Sequence, residues 1–507
     1  MAGASLAPRL LASYVGQTYV TLIGVVISPL YVRYLGVEGY GLVGIFTLMQ
    51  SWLALLDFGF SATLAREAAR YGAGKRTATE FRQLVTLLGR VFLASGVLIA
   101  AAGVAASPWI SRHWLKLTVM SPGDATLSLA AMTLALALRW RTEPYRSILI
   151  GFERQVWLNG FNSLAATVRY LGAAALLAFA GWSIVGFFLY QLLVAALETA
   201  ILLFVTHRLL PRERGAESAG ARLSWPELRP MMKFALSVAF VSMVWLFLSQ
   251  YDKLLLSTLL PLRSYGVFAL ATVAAGGVSL LGAPVGQVIM PRLASLAAQG
   301  GDTEMRGLYR RATALVSAMV APASLMLALY GQQVLWVWTG DTRLASEAYP
   351  ILRWYALGNG LLAITTFAYF LQYAHGDLTL HIRGNVVFAV VLIPAITVAA
   401  LRYGAVGAGV TWFVANLIYL LGWTFLVHWR FAPGLHWRWL GRDVAVVAAP
   451  GVAVLVVMRM VAWPWYAERV VDFLALAVLG LAALAASALC IPGFVTSAVA
   501  WIQGRRA

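Results

Sequence analysis

Hydrophobic residues recur along this chain in about fourteen runs of roughly 20 residues, separated by short, Arg-rich polar connections. The runs fall near 11–32, 40–62, 84–107, 125–142, 156–180, 182–206, 234–259, 264–290, 311–330, 351–373, 382–401, 405–428, 444–461 and 470–491. A run of about 20 residues crosses the hydrocarbon core as a helix, whereas a barrel strand needs about 10 with strict alternation. The pattern predicts an all-α integral membrane protein of about 14 transmembrane helices. The fourth run is the weakest, truncated by Arg139 and Arg141. Arg9 precedes the first run as in a signal peptide, but that run is long, leads into further spans and lacks a small-residue cleavage site. It reads as a retained helix.

The longest interior connection, 207–233, is polar and rich in Arg, Glu, Gly and Pro. It divides the chain into an N-terminal six-helix lobe (1–206), a cytoplasmic linker (207–233), a C-terminal six-helix lobe (234–428) and two added helices with a tail (429–507). The lobes carry a weak repeat at an offset of about 225 residues. Tyr40-Gly41 opens the second run and Tyr265-Gly266 the eighth; Ala65-Arg66-Glu67 and Pro291-Arg292-Leu293 close them. Six helices is an even number, so both lobes enter the membrane in the same sense, a parallel arrangement that transporters use.

Charge then sets orientation. Only 11% of the 507 residues are charged and 61% are hydrophobic, too little polarity for a water-facing surface of this length. The net charge of +18 is dispersed between apolar runs rather than gathered on one domain, which argues against a nucleic-acid partner. With the N-terminus cytoplasmic, interior connections hold about 27 Lys and Arg and exterior ones about 10, so both termini are expected inside. A basic inner face also favours anionic membrane lipids.

Polar side chains inside the spans are the candidate chemistry. Ser13, Gln17, Thr21, Gly24 and Ser28 lie within roughly an 80° arc of the first helix. Ser242, Ser249, Lys253 and Ser257 share a face of the seventh, and the repeat offset pairs Gln17 with Ser242, Gly24 with Ser249 and Ser28 with Lys253. The matching faces suggest a wet central cavity, although small and hydroxyl residues also let helices pack closely. Asp252 and Lys253 are sequence neighbours about 100° apart, and need not pair directly. Lys253 either faces the cavity or snorkels to the outer interface. Arg169 lies mid-span, where a charge costs about 2.5–3.5 kcal/mol on insertion scales; it is the leading anion-binding cation. Arg139, Arg141 and Arg146, with Glu143, flank the inner end of the fourth helix, either to accept a phosphate or to signal topology. Thr47, Gln50, Asp57 and Ser61 share a face of the second helix, and Asp57 reads as a headgroup-level carboxylate.

Other chemistry is missing from the sequence. No HExxH, GxSxG or Walker-type pattern occurs, so no ATPase or hydrolase signature is present. The six histidines are scattered and a lone Cys490, expected as a buried packing residue, allows neither a disulfide nor a Cys-based metal site. No cofactor is expected. Gly404, Gly407 and Gly409 read as a helix-start and packing feature, and Gly282 and Gly286 as a close-packing face.

Leu35, Gly36, Glu38, Tyr40, Gly41, Asp57 and Gly59, before a basic connection, resemble the opening pattern of the Wzx-type polysaccharide flippases of the multidrug/oligosaccharidyl-lipid/polysaccharide exporter superfamily. Asp252, Tyr265, Gly266, Pro291 and Arg292 are similar to that family's seventh and eighth helices, with Ser264 replacing the usual Gly before Tyr265. The resemblance covers roughly the first 80 residues and 230–300. It implies a non-enzymatic flippase of the cell inner membrane that moves undecaprenyl-pyrophosphate-linked oligosaccharide across by alternating access, for exopolysaccharide, lipopolysaccharide or other surface glycan. Its partners would be the polyprenyl-pyrophosphate-linked glycan, membrane lipids, and polysaccharide polymerase and glycosyltransferases. The substrate-binding candidates are Arg169, Lys253, Gln17, Ser28, Ser249, Asp252, Arg139 and Arg141. The alternatives are a cation-coupled multidrug-type antiporter, which would want a buried acid, and a membrane-embedded glycan polymerase or ligase.

Overall fold

The computed structural model describes residues 6–210, 225–461 and 463–491. Most of the expected linker, the tail beyond 491 and the side chain of Ser13 lie outside the described residues. Among the described residues no strand forms; one isolated bridge joins Lys116 and Pro261. The helices are α1 (Leu6–Leu53), α2 (Phe60–Gly72), α3 (Ala78–Trp109), α4 (Pro122–Gly151), α5 (Gln155–Thr167), α6 (Ala173–Ala180), α7 (Ile184–Leu209), α8 (Trp225–Leu259), α9 (Leu262–Ala298), α10 (Asp302–Thr339), α11 (Thr342–Ala374), α12 (Thr379–Ile418), α13 (Thr424–Phe431), α14 (His436–Arg438), α15 (Val446–Arg459) and α16 (Arg469–Leu489). The chain is a multi-pass membrane protein. Among the described residues nine helical stretches are long and apolar enough to cross a bilayer. Two of them, Gly16–Asp57 and Thr379–Phe431, are 42 and 53 residues long, beyond what one crossing needs.

Both long stretches bend at a glycine. Gly36 (φ 74°, ψ 168°) breaks α1 and Gly404 (φ 60°, ψ −145°) breaks α12, at the gaps between adjacent apolar runs. A side chain rarely tolerates positive φ, so glycine marks these corners. Elsewhere, starts follow capping chemistry: Thr77 and Glu80 form a capping box on α3, Ser121 precedes Pro122 at α4, and Asp341 caps α11. Arg139 and Arg141 do not end α4, which continues to Gly151, because arginine is a good helix former and charge interrupts hydropathy rather than helicity.

The chain divides into two compact units, Met1–Gly266 and Val267–Ala507. In the first, the motif residues shape the backbone. Glu38 is buried and accepts hydrogen bonds from the amides of Thr118 (2.6 Å), Val119 (2.7 Å) and Met120 (3.2 Å) and from the Thr118 hydroxyl (3.1 Å). Phe58 and Gly59 are both left-handed, and Asp57 then accepts from the Ser61 amide at 3.1 Å and hydroxyl at 2.6 Å. Asp57 therefore satisfies an amide in the first turn of α2, whose N-cap position is Gly59. The two Tyr-Gly pairs meet: a Cβ on Gly41 would fall 2.5 Å from the Leu262 carbonyl oxygen, and one on Gly266 would fall 2.0 Å from that of Val37.

In the second unit, Tyr330, Leu455, Leu476, Leu479 and Ala483 form a core that packs α15 and α16 on α10. Gly451 allows the approach, since a Cβ there would lie 2.5 Å from the Ala483 carbonyl oxygen and 2.8 Å from Pro322. Gly282 and Gly286 face Val316 and Phe370, and Gly409 faces Trp354 and Tyr355; these glycines serve packing. A buried polar chain links Tyr309, His428 and His436, with the Tyr309 hydroxyl 2.7 Å from His428 Nε2 and the two Nδ1 atoms 3.1 Å apart. Cys490 corrects the expectation of burial. It is exposed, because α16 stops at Leu489 and leaves it beyond the packed face.

Candidate functional site

The first unit contains a cavity of about 460 Å³ whose walls come from α1, α4, α5, α7 and the turn after α5. On α4, Arg139, Thr142, Glu143 and Arg146 follow spacings of three, one and three, which places them on one helical face. Arg141 belongs to another face, about 200° from Arg139. Its guanidinium donates to the Gly89 carbonyl at 3.1 Å, on α3. Asn159 and Asn162 contribute from α5, Gln17, Thr21 and Gln50 from α1, and Glu198 from α7. Gly16 brings α1 close to α5, where a Cβ would lie 3.3 Å from that of Asn159.

Arg169 enters the cavity from a π-helical turn, Val168–Gly172, between α5 and α6. Such turns often occur at functional sites, because the inserted residue redirects the side chains that follow. Arg169 Nη2 lies 3.0 Å from Glu198 Oε1, and Arg146 Nη2 lies 3.8 Å from Glu198 Oε2. Arg146 Nη1 also donates to Asn162 Oδ1 at 2.5 Å, and Arg139 Nη2 donates to Gln191 Oε1 at 3.3 Å. The Nε atoms of Arg139 and Arg169 are buried without a hydrogen-bond partner. Three guanidiniums thus face two carboxylates, leaving a net positive charge and two unused donors. The four carboxamides add both donors and acceptors. Such a lining can neutralise an anion and replace water around hydroxyl groups.

Of the residues expected from sequence, Arg169, Arg139 and Gln17 line this cavity together. Ser28 is buried and donates to the Gly24 carbonyl at 2.8 Å, one turn back. Ser249, Asp252 and Lys253 lie on α8 and are not among the residues lining this cavity. Lys253 Nζ donates to the Ser249 carbonyl at 2.7 Å and lies 3.3 Å from Asp252 Oδ1. The long lysine stem curls back across the 100° offset, so the neighbours do pair. Glu198, Asn159 and Asn162 were missed. Glu198 could have been noticed as the lone acid in the apolar run 182–206, whereas the asparagines gave no comparable signal. Glu143 and Glu198 temper the positive charge that Arg139, Arg146 and Arg169 bring to the cavity.

These features define a helical membrane protein with a polar, cationic cavity. The solved structure of "Lipid II flippase MurJ, inward closed conformation" is similar over 96% of this chain and 99% of that one, at 13% identity and a TM-score of 0.72. An inward-facing multidrug resistance MATE family transporter matches over 84% and 96%, at 15% identity and a TM-score of 0.61. A transporter of the same superfamily from Pyrococcus furiosus matches over 83% and 95%, at 13% identity and a TM-score of 0.54. At these identities the likeness is one of fold. The family model described as "Polysaccharide biosynthesis protein" matches residues 10–297, and the chain belongs to that family. No curated protein matches by sequence.

Proposed function

We propose that this protein is a flippase that carries a polyprenyl-pyrophosphate-linked oligosaccharide from the cytoplasmic to the outer leaflet of the cell inner membrane, with both termini cytoplasmic. The single observation that carries the reading is the cavity in which Arg139, Arg146 and Arg169 converge among carboxamides. A glycan hydroxyl costs several kcal/mol in hydrocarbon without a partner, and a pyrophosphate costs more. Carboxamides replace the water around sugars, guanidiniums take the phosphates in paired hydrogen bonds, and the polyprenyl tail stays in lipid. Arg139 and Arg169 are the phosphate-binding candidates, with Gln17 toward the sugar; Ser28, Ser249, Asp252, Lys253 and Arg141 then support helix packing or steer the substrate at another stage. Alternating access would open the site to one face at a time. Membership of the polysaccharide biosynthesis family and the fold shared with a lipid II flippase support this reading.

The test is depletion of the protein in its host, with lipid-linked glycan assayed in each leaflet. Glycan should accumulate on the cytoplasmic side, rescued by the wild type and not by Arg169→Ala. Unchanged export in a strain without paralogues would end the proposal.

A cation-coupled antiporter is the second reading, favoured by Glu143 and Glu198 in the cavity and by the likeness to MATE transporters. Increased drug susceptibility of a deletion strain with normal glycan export would select it.

A further inference from the structure

A second basic cavity, of about 240 Å³, lies in the other unit, between the start of α10 and the π-helical turn Trp439–Ala445 that leads into α15. Gly307, Arg310, Arg311, Arg442 and Asp443 line it. Asp443 is buried and holds Arg310 in a two-pronged pair, Nε to Oδ2 at 2.6 Å and Nη2 to Oδ1 at 3.0 Å. The carboxylate is thereby engaged. Arg311 reaches only its own helix, donating from Nε to the Gly307 carbonyl at 3.3 Å, and Arg442 is exposed. Among the described residues neither has a carboxylate partner, so the cavity is left with an excess of two positive charges. Gly307 leaves its wall open, since nothing lies within 4 Å of a Cβ placed there.

Clustered guanidiniums with unused donors match the oxygens of a phosphate, which they bind in forked hydrogen bonds. The surroundings favour a lipid as its source. Trp437, five residues before Arg442, is 71% exposed, and an exposed tryptophan beside arginines is the composition of a membrane–water interface. Basic pockets between transmembrane helices at that depth hold acidic headgroups. The geometry points to a site for the phosphate of an anionic phospholipid, formed by Arg311 and Arg442 around the fixed Arg310–Asp443 pair. The site is separate from the Arg169 cavity and does not rest on the flippase reading.

Native mass spectrometry of the full chain in neutral detergent tests it, with phosphatidylglycerol, phosphatidylcholine and inorganic phosphate as probes. The Arg311→Gln/Arg442→Gln double variant removes the two charges and leaves the buried pair intact; an unchanged thermal transition in phosphatidylcholine confirms its fold. We expect phosphatidylglycerol affinity to fall about tenfold, or about 1.4 kcal/mol, with phosphatidylcholine binding unaffected. Equal binding of both phosphatidylglycerol and inorganic phosphate by the two proteins overturns the site. Loss of inorganic phosphate binding with phosphatidylglycerol binding unchanged would assign it to a free phosphate and overturn the lipid.

Discussion

Arg169 and Glu198 form an ion pair, with Nη2 and Oε1 3.0 Å apart, inside the cavity, and the other carboxylate oxygen lies 3.8 Å from Arg146. Both side chains are largely withdrawn from solvent, at 17% and 5% exposure. One carboxylate therefore holds the place between two guanidiniums where a phosphate oxygen would bind under the proposed function. Substrate must compete with Glu198 for Arg169.

This competition predicts opposite effects for the two partners. Arg169→Ala should lower translocation in reconstituted vesicles by at least about tenfold, or about 1.4 kcal/mol. Glu198→Gln keeps the guanidinium and removes its rival, so the purified variant should bind inorganic pyrophosphate about tenfold more tightly by calorimetry. Wild-type transport by Arg169→Ala would sink the assignment.

Glu38 accepts four hydrogen bonds from residues 118–120. Glu38→Ala leaves those donors without their acceptor and should destabilise the protein by about 1–3 kcal/mol. The readout is a lower thermal transition in detergent. A variant that melts with the wild type would show that this anchor contributes nothing.

Gly266 should tolerate no side chain, because a Cβ would sit 2.0 Å from the Val37 carbonyl oxygen, which is backbone and has little room to shift. Gly266→Ala is expected to cost about 1–3 kcal/mol. Gly276→Ala, where nothing lies within 4 Å, serves as the control and should gain up to about 1 kcal/mol from reduced chain entropy. Comparable melting of the two variants would contradict the close approach.

Asp377 lies in the connection between α11 and α12. Hydrogen bonds from Thr379, and then the Arg430 guanidinium at 2.8 Å, hold its carboxyl down at about 2, below the ordinary 3.8. A depressed folded-state value gives stability that is present above pH 3.8 and lost as pH falls through about 2. In Asp377→Asn that acid-dependent contribution disappears, so its thermal transition should approach the wild type's as pH drops toward 2. A constant gap across that range would refute the linkage.

Much of the fold was legible because lipid imposes a simple constraint: the backbone must satisfy itself, so apolar runs become helices. The family-like motif was legible too, but its work is architectural. Gly36 turns a corner, Glu38 ties residues 118–120, and Asp57 with Gly59 restarts a helix. None of these residues lines the Arg169 cavity. The site was only half readable. Arg169 betrayed itself by its cost in an apolar run, whereas Asn159 and Asn162 carry no charge to attract notice.

The sequence alone determined that this chain crosses a membrane repeatedly as helices and that costly cations sit within them, because hydropathy and charge burial act locally. Only the tertiary structure decided which polar groups meet. Arg169 and Glu198 are 29 residues apart, and Arg310 and Asp443 are 133 apart. Their pairing depends on how whole helices rotate and pack, which no local pattern specifies.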